Sequence, residues 1–171
     1  MRKIIRIVLI FLLVALVLIQ FVRPAKNISV GIAANDISTK YTIPDSVQDI
    51  LKVACNDCHT NNSRYPWYWN IQPLAWFLND HIQEGKRHLN FSDFTSYKIG
   101  RQYKSFDEIK KEVKEGGMPL TSYTLIHRDA VISEAQKLAI VNWTADMRKQ
   151  IEAQYPPDSL KFKRPGRDES D

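Results

Sequence analysis

The sequence contains very little cysteine, which narrows the classes of protein to which it can belong. Only two of its 171 residues are cysteines, Cys55 and Cys58. Small secreted domains that depend on disulfides carry several cysteine pairs spread along the chain. Two cysteines only three positions apart cannot supply such a framework. The fold must therefore be stabilised by a hydrophobic core, for which the chain is long enough.

Acidic residues are absent from the first 35 positions, and the excess of positive charge lies there. The whole chain has 24 Lys and Arg against 19 Asp and Glu, a net charge of +5. Without the five bases that precede residue 27, the remainder carries 19 residues of each sign. This balance excludes a strongly basic surface of the kind that binds nucleic acid, so we expect no nucleic-acid partner. The five bases are Arg2, Lys3, Arg6, Arg23 and Lys26.

An apolar run near the amino terminus, from Ile7 to Val22, is interrupted only by Gln20. Counted from Ile4, it covers about 19 residues, or roughly 28 Å as a helix, which is close to the thickness of a bilayer core. No cleavage pattern of small residues ends the run. We therefore expect residues 1–23 to form an uncleaved transmembrane signal anchor, with a cleaved signal peptide as the alternative. The flanking bases favour a cytoplasmic amino terminus.

The string Cys55-Asn56-Asp57-Cys58-His59 is the most informative feature of the chain. It is a Cys-x-x-Cys-His pattern, which is typical of c-type haem attachment. Each thiol can add to one vinyl group of a haem, and the histidine that follows can bind the iron as an axial ligand. The pattern predicts one covalent haem c, bound by Cys55 and Cys58, with His59 as an iron ligand.

This string has three other interpretations. A thioredoxin-like dithiol expects a preceding strand in a βαβ unit, whereas the segment before Cys55 has the pattern of a helix. A zinc site would need further ligands at characteristic spacings. His59 lies too close to the cysteines for a zinc finger, and the other histidines show no paired spacing. The third interpretation is chance occurrence.

The rest of the chain divides by composition into a tether, one domain and a tail. Residues 24–44 contain Asn, Ser, Gly, Thr and Pro without a sustained period, so we expect a tether. Residues 45–155 are long enough for one compact haem-binding domain. Residues 156–171 are polar and interrupted by Pro and Gly, so we expect a disordered tail.

The domain is expected to be all-α, with a cytochrome c-like arrangement, because apolar residues recur with helical period and no segment alternates with period two. Gly85 is a candidate end for one helix, Ser105 a candidate start for the next, and Ser133 with Gln136 a capping box for the last. A helix end is also expected at Gly116. The predicted helices cover about residues 46–55, 73–84, 105–116 and 133–153.

A second axial ligand of the iron should be a Met or a His. Met118 lies in the loop Gly116-Gly117-Met118-Pro119-Leu120, where the glycines permit a close approach and the proline stiffens the backbone. Met147 falls on the apolar stripe of the last helix, where core packing explains it better. His127 is the best rival to Met118. His81 lies on an apolar helix face, and we interpret it as a core histidine.

Aromatic residues cluster after the motif, and several should form the core or an apolar wall around the haem. Arg64, Tyr65 and Trp67 are candidate cofactor-binding residues, because each can donate hydrogen bonds to haem propionates. The cluster consists of Tyr65, Trp67, Tyr68, Trp69, Trp76 and Phe77.

Together these segments resemble the small haem-binding domain family of bacterial exported proteins. The similarity extends over about residues 24–152. It includes the haem motif, the stretch SRYPWYWNIQP, the MPL loop and the closing helix with Asn-Trp. Because the family is regarded as a variant of c-type cytochromes, the resemblance implies a monohaem domain. It also implies that His59 and Met118 are the axial ligands.

The function expected from these features is electron transfer, without chemistry on a substrate. Thioether attachment is completed outside the bacterial inner membrane, so residue 27 onward should be in the periplasm, tethered to the inner membrane by the anchor or released after cleavage. The domain would exchange electrons with redox partner proteins. The alternative is a haem enzyme or a small-ligand or redox sensor with an open axial position, and a third possibility is a haem-storing protein.

Overall fold

The computed structural model describes residues 1–162, and every regular element in that range is helical. The absence of strands from these residues confirms the all-α prediction. The α-helices are α1 (Arg2–Ile19), α2 (Asp45–Ala54), α3 (Asn56–His59), α4 (Leu74–His88), α5 (Ile99–Glu115), α6 (Thr121–Ile126) and α7 (Glu134–Gln154). Short 3-10 turns occupy Ile37–Thr39, Trp67–Asn70, Phe91–Ser96, Arg128–Ala130 and Pro157–Leu160.

The core lies between α2, α5 and α7, and an aromatic group forms its centre. Phe106 on α5 is fully buried, and its ring meets three other rings edge to face. The centroid distances are 5.1 Å to Tyr41, 5.1 Å to Phe94 and 5.6 Å to Trp143. Edge-to-face pairs of this kind contribute beyond the area that they bury, so this group fixes how α5 and α7 pack.

Two predicted helix ends are confirmed by the structure. Ser133 caps α7, its side chain accepting from the backbone N–H of Gln136 while the Gln136 side chain accepts from the backbone N–H of Ser133. α5 ends at Gly116, which has φ +77°. A residue with a Cβ is strained in that conformation, so glycine suits this helix end.

Two other predicted helix ends are wrong. α5 starts at Ile99, and Ser105 is buried inside it, because its buried face continues back through Gln102 and Gly100. Gln102 satisfies its own polar groups there by accepting from the Tyr41 hydroxyl. α4 runs through Gly85 to His88, because Gly85 faces a neighbouring helix rather than ending its own.

The segment expected to be a tether is largely part of the domain. Ile37 and Tyr41 are buried in the core, and the Trp143 indole donates to the Thr42 carbonyl at 3.1 Å. Asn27 donates through its amide nitrogen to the Thr60 carbonyl and the Ser63 hydroxyl, both at 2.8 Å. Isolated apolar residues produce no periodic pattern, so composition alone suggested a linker here.

The expected tail also begins as ordered structure. Residues Pro157–Leu160 form a 3-10 turn against α5. The approach is close at Gly100, where a Cβ would lie 2.9 Å from the Lys161 carbonyl oxygen. The rest of the predicted disordered tail, residues 163–171, lies outside the described residues.

The amino-terminal helix does not support the expected transmembrane span. α1 covers 18 residues and includes Arg2, Lys3 and Arg6. Among the described helices, none combines the length and the apolar character needed to cross a membrane. After α1, Gln20 exchanges hydrogen bonds with the Gln72 backbone, and Arg23 donates to the Asn70 carbonyl. These contacts join the start of the chain to the domain.

We predict that Ile37→Ala lowers the free energy of unfolding by about 2–5 kcal/mol, because it removes a buried aliphatic side chain. Ile37 is 3% exposed, whereas Ile28, in the same expected tether, is 59% exposed. Ile28→Ala should therefore change the stability by less than about 0.5 kcal/mol. Denaturant titration followed by circular dichroism measures both variants. Equal effects would mean that residues 24–44 behave as a free tether.

Candidate haem site

The Cys-x-x-Cys-His string forms a single helical turn at the end of α2. The Cys55 N–H donates to the Leu51 carbonyl, which completes α2. The Cys55 carbonyl then accepts from Cys58 N at 3.2 Å and from His59 N at 3.0 Å. Residues three apart on a helical turn are neighbours, and Cys58 is near enough to Cys55 to raise the pKa of its thiol, so the two thiols lie close together. Both cysteines are free, with no disulfide between them.

Both thiols are held in the protonated form. Burial, with a smaller effect of Cys58, raises the pKa of Cys55 to about 12. Burial, with a smaller effect of Asp57, raises the pKa of Cys58 to about 11. A reactive dithiol of the thioredoxin kind needs a lowered pKa instead, so this environment does not favour the dithiol interpretation. Within residues 1–162, no three His, Cys, Asp or Glu side chains lie close enough together to bind a metal ion such as zinc.

His59 is oriented as an iron ligand requires. Its Nδ1 lies 3.0 Å from the Leu89 carbonyl oxygen, and because a carbonyl only accepts, Nδ1 must carry the proton. Burial lowers the pKa of His59, and the Leu89 and Gly85 backbone groups only partly oppose this. The ring is therefore neutral, with the lone pair on Nε2. A backbone acceptor on the far nitrogen is the usual outer contact of a metal-binding histidine.

The motif turn, residues 55–59, packs directly on α4 at Gly85. A Cβ on Gly85 would lie 2.6 Å from the Cys58 carbonyl oxygen and 3.0 Å from the Cys58 Cβ. No side chain fits at that distance, so the two helices reach this separation only because the residue is glycine. The sequence carried one signal of this contact, a glycine inside an otherwise helical pattern, which is unfavourable without a packing reason.

A buried carboxylate lies inside the motif, and sequence reasoning missed it. Asp57 is 5% exposed. Its Oδ1 accepts from the Arg64 backbone N–H at 2.9 Å, and its Oδ2 accepts from Arg64 Nε at 3.2 Å and from the Tyr123 hydroxyl at 2.6 Å. We call Asp57, Arg64 and Tyr123 the Asp57 cluster. Burial and then the bond to Asp57 raise the pKa of Tyr123 above its ordinary value, so its hydroxyl is a donor.

The predicted propionate donors differ in what they already bind. Arg64 donates to Asp57, to Asp129 at 3.4 Å and to the Val53 carbonyl at 3.1 Å, so propionate binding would compete with these contacts. The Tyr65 hydroxyl accepts from the backbone N–H of Asn27. Trp67 is 74% exposed and remains the most accessible of the three.

The candidate sixth ligands differ in their burial and in the hydrogen bonds around them. Met118 is half-buried in its loop, and the Gly117 and Met118 N–H groups both donate to the Glu112 carbonyl, at 2.9 and 3.2 Å. Met147 is buried in the core, where the sequence analysis expected it. His127 bonds through Nε2 to the Tyr68 hydroxyl at 2.7 Å.

The interpretation of His81 as a core histidine is wrong. It lies half-buried on α4 beside exposed Phe77, with its Nδ1 against the Phe77 carbonyl at 2.9 Å.

Large apolar side chains are exposed on elements that follow the motif in the chain. They lie on the 3-10 turn at Trp67–Asn70 and just after it, on α4 and on α6. Exposed apolar groups beside a functional motif indicate a ligand or partner surface. Together with two free thiols and a neutral, oriented imidazole, this composition fits a haem. The residues are Trp67, Ile71, Leu74, Trp76, Phe77, Leu125 and Ile126.

Comparison with known proteins agrees with this chemistry. The profile of a family described as a haem-binding domain matches residues 14–146, which is most of the chain. No curated protein and no solved structure is significantly similar to it.

We predict that Gly85→Ala reduces the amount of haem attached per polypeptide, because the new Cβ would push α4 away from the Cys58 carbonyl oxygen. Overpacking of this kind also costs about 1–3 kcal/mol of stability. Absorbance of the denatured haem–pyridine complex measures the haem, and thermal unfolding measures the stability.

The matched control is Gly100→Ala, which crowds the Lys161 and Ser159 carbonyls rather than the motif. It should lower stability and leave the haem content unchanged. Wild-type haem content in a folded Gly85→Ala variant would contradict the positioning role of Gly85.

Proposed function

Since this chain belongs to the haem-binding domain family, we propose that it carries one covalently attached haem c and acts as an electron carrier. The observation that supports this most strongly is the geometry of the motif turn. Two free thiols lie three residues apart on it, and His59 has its Nδ1 proton directed to the Leu89 carbonyl. A thioether-linked haem needs both features at once.

A bound haem iron would supply one-electron chemistry, and the residues of this chain would attach and orient the group. Cys55 and Cys58 would form the thioethers. His59 would bind the iron through Nε2, with its ring held by the Leu89 carbonyl. The exposed apolar side chains around the motif would cover the ring and exclude water, which favours a stable potential.

We propose Met118 as the second axial ligand. Met147 is buried in the core between α5 and α7. The His127 ring is stacked on Tyr123 at 4.3 Å and bonded to Tyr68, so its polar nitrogen is already used. Met118 lies in a loop, and its backbone N–H donates to the Glu112 carbonyl. Methionine–histidine ligation raises the potential and leaves no position open for a substrate, which favours electron transfer over enzymatic or sensory chemistry.

We also propose that the domain functions in the periplasm. The support comes from the attachment chemistry, because thioether formation on such motifs is completed on the exported side of the inner membrane. The apolar side chains of α1, from Ile4 to Leu18, are mostly exposed and form the surface through which we propose contact with that membrane.

Covalent attachment is tested by removing both thiols. In the wild type, the haem colour should stay with the protein after extraction with acid acetone. The Cys55→Ala/Cys58→Ala variant should release all of it, because no thioether can form. Colour extracted from the wild type would show that the haem is bound without covalent attachment.

The sixth ligand is tested by Met118→Ala. We expect conversion to a high-spin or water-ligated haem, a lower potential and ready binding of carbon monoxide by the ferrous form, because the axial thioether is lost. Absorption spectra and redox titration measure these changes. The control is Met147→Leu, a volume-conserving core change that should leave the spectrum unaltered.

His127→Ala should also keep a low-spin spectrum. If His127→Ala changed the spin state while Met118→Ala did not, the ligands would be two histidines. A wild-type protein that is already high-spin would favour the enzyme or sensor function.

A further inference from the structure

We propose that the Asp57 cluster positions the sixth ligand. The Tyr123 hydroxyl bonds to Asp57 in the motif turn and so holds α6, and with it the Met118 loop, against that turn. The inference rests on the proposed function, in which Met118 binds the iron. It assigns to Tyr123 and Asp57 a positioning role that the motif pattern does not predict.

Asp57 is the fixed end of this connection. It lies between the two cysteines of the motif, and its carboxylate is buried. A buried carboxylate is stable only when its oxygens are paired. Arg64 supplies its backbone N–H and its Nε, and the Tyr123 hydroxyl supplies the bond at 2.6 Å. The two Arg64 donors come from the chain just after the motif, whereas Tyr123 comes from a separate helix.

Arg64 strengthens the connection because it contacts both other members of the cluster. Its Nη2 lies 3.3 Å from the Tyr123 hydroxyl and 3.1 Å from the Val53 carbonyl. Burial alone would lower the pKa of Arg64, but the charge of Asp57 and the bond to Tyr123 raise it above its ordinary value. The guanidinium therefore stays charged and holds the hydroxyl and the carboxylate together.

α6 depends on this contact for its place. In the structure as described, α6 buries none of its own side chains, and Leu125 and Ile126 are exposed. A second polar contact lies just after α6, where the His127 ring stacks on Tyr123 and bonds to the Tyr68 hydroxyl. Tyr123 itself packs, partly buried, against the core, and its hydroxyl bonds to Asp57. A short helix that buries no residue fully has little packing to hold it, so this hydrogen bond contributes to its location.

The Met118 loop runs directly into α6. The Leu120 carbonyl accepts the N–H of Tyr123 and the N–H of Thr124, both at 3.0 Å, so the first turn of α6 begins at the end of the loop. At its other end, the loop is bonded to the Glu112 carbonyl of α5. Met118 therefore lies between an anchor on α5 and an anchor on the motif turn, and Tyr123 forms the second anchor.

The test is Tyr123→Phe in the full-length haem protein, with Tyr103→Phe as the matched control. Tyr103 also bonds through its hydroxyl to charged side chains, Arg148 and Glu152, but between α5 and α7. Both variants lose a hydrogen bond to a charged group, and Tyr123→Phe should lose more thermal stability, because Asp57 is buried whereas Glu152 is exposed.

Only Tyr123→Phe should weaken the sulfur-to-iron absorption band, and it should raise the apparent affinity of the ferrous haem for carbon monoxide about tenfold or more. Its content of covalent haem should not change, because Cys55, Cys58 and His59 are intact.

Hydrogen exchange of the amides in residues 118–127 provides a readout that does not depend on haem. Exchange there should accelerate in Tyr123→Phe and not in Tyr103→Phe. Unchanged exchange would overturn the proposal, and so would faster exchange with an unchanged spectrum, since α6 would then be anchored without positioning the ligand. A wild type without covalent haem would instead refute the proposed function, and the exchange data would still decide whether Tyr123 anchors α6.

Discussion

The close approach of α4 to the motif turn is the constraint on which the rest of the site depends. At Gly85 the two backbones come so near that a single Cβ would lie 2.6 Å from the Cys58 carbonyl oxygen. One turn later α4 ends, and the Leu89 carbonyl accepts from Nδ1 of His59. The same helix therefore sets the position of the second cysteine and the orientation of the His59 ring. A helix displaced by a side chain at residue 85 would disturb both together.

The second constraint on the motif turn is electrostatic. Asp57 places a carboxylate in a buried position, where it is tolerated only because Arg64 and Tyr123 pair with its oxygens. Removing one partner from a buried charge commonly costs about 3–5 kcal/mol, more than the pair itself contributes. The carboxylate thus makes the placement of its partners specific. Packing at Gly85 and pairing at Asp57 hold the motif turn between two parts of the chain.

Several features were predictable because they depend on local chemistry. The motif at Cys55, Cys58 and His59 is contiguous, and so are the Ser133 capping box and the left-handed end at Gly116. Other features were not predictable, because their cause is distant in the sequence. Gly85 was assigned as a helix end, since its partner lies at Cys58. The segment that holds Ile37 was assigned as a tether, since its burial arises only when α5 and α7 are in place.

The sequence alone indicates haem binding, an all-α fold and Met118 as a candidate ligand. Each of these is encoded by neighbouring residues or by a short repeat period. The tertiary structure decided which polar groups remain available. In the sequence, Arg64 is a candidate propionate donor and His127 a candidate iron ligand, yet the fold engages Arg64 with Asp57 and His127 with Tyr68. The physical reason is that a polar side chain bonds to whatever partner the packing brings within about 3 Å. That partner is chosen by the approach of distant elements, which no local pattern records.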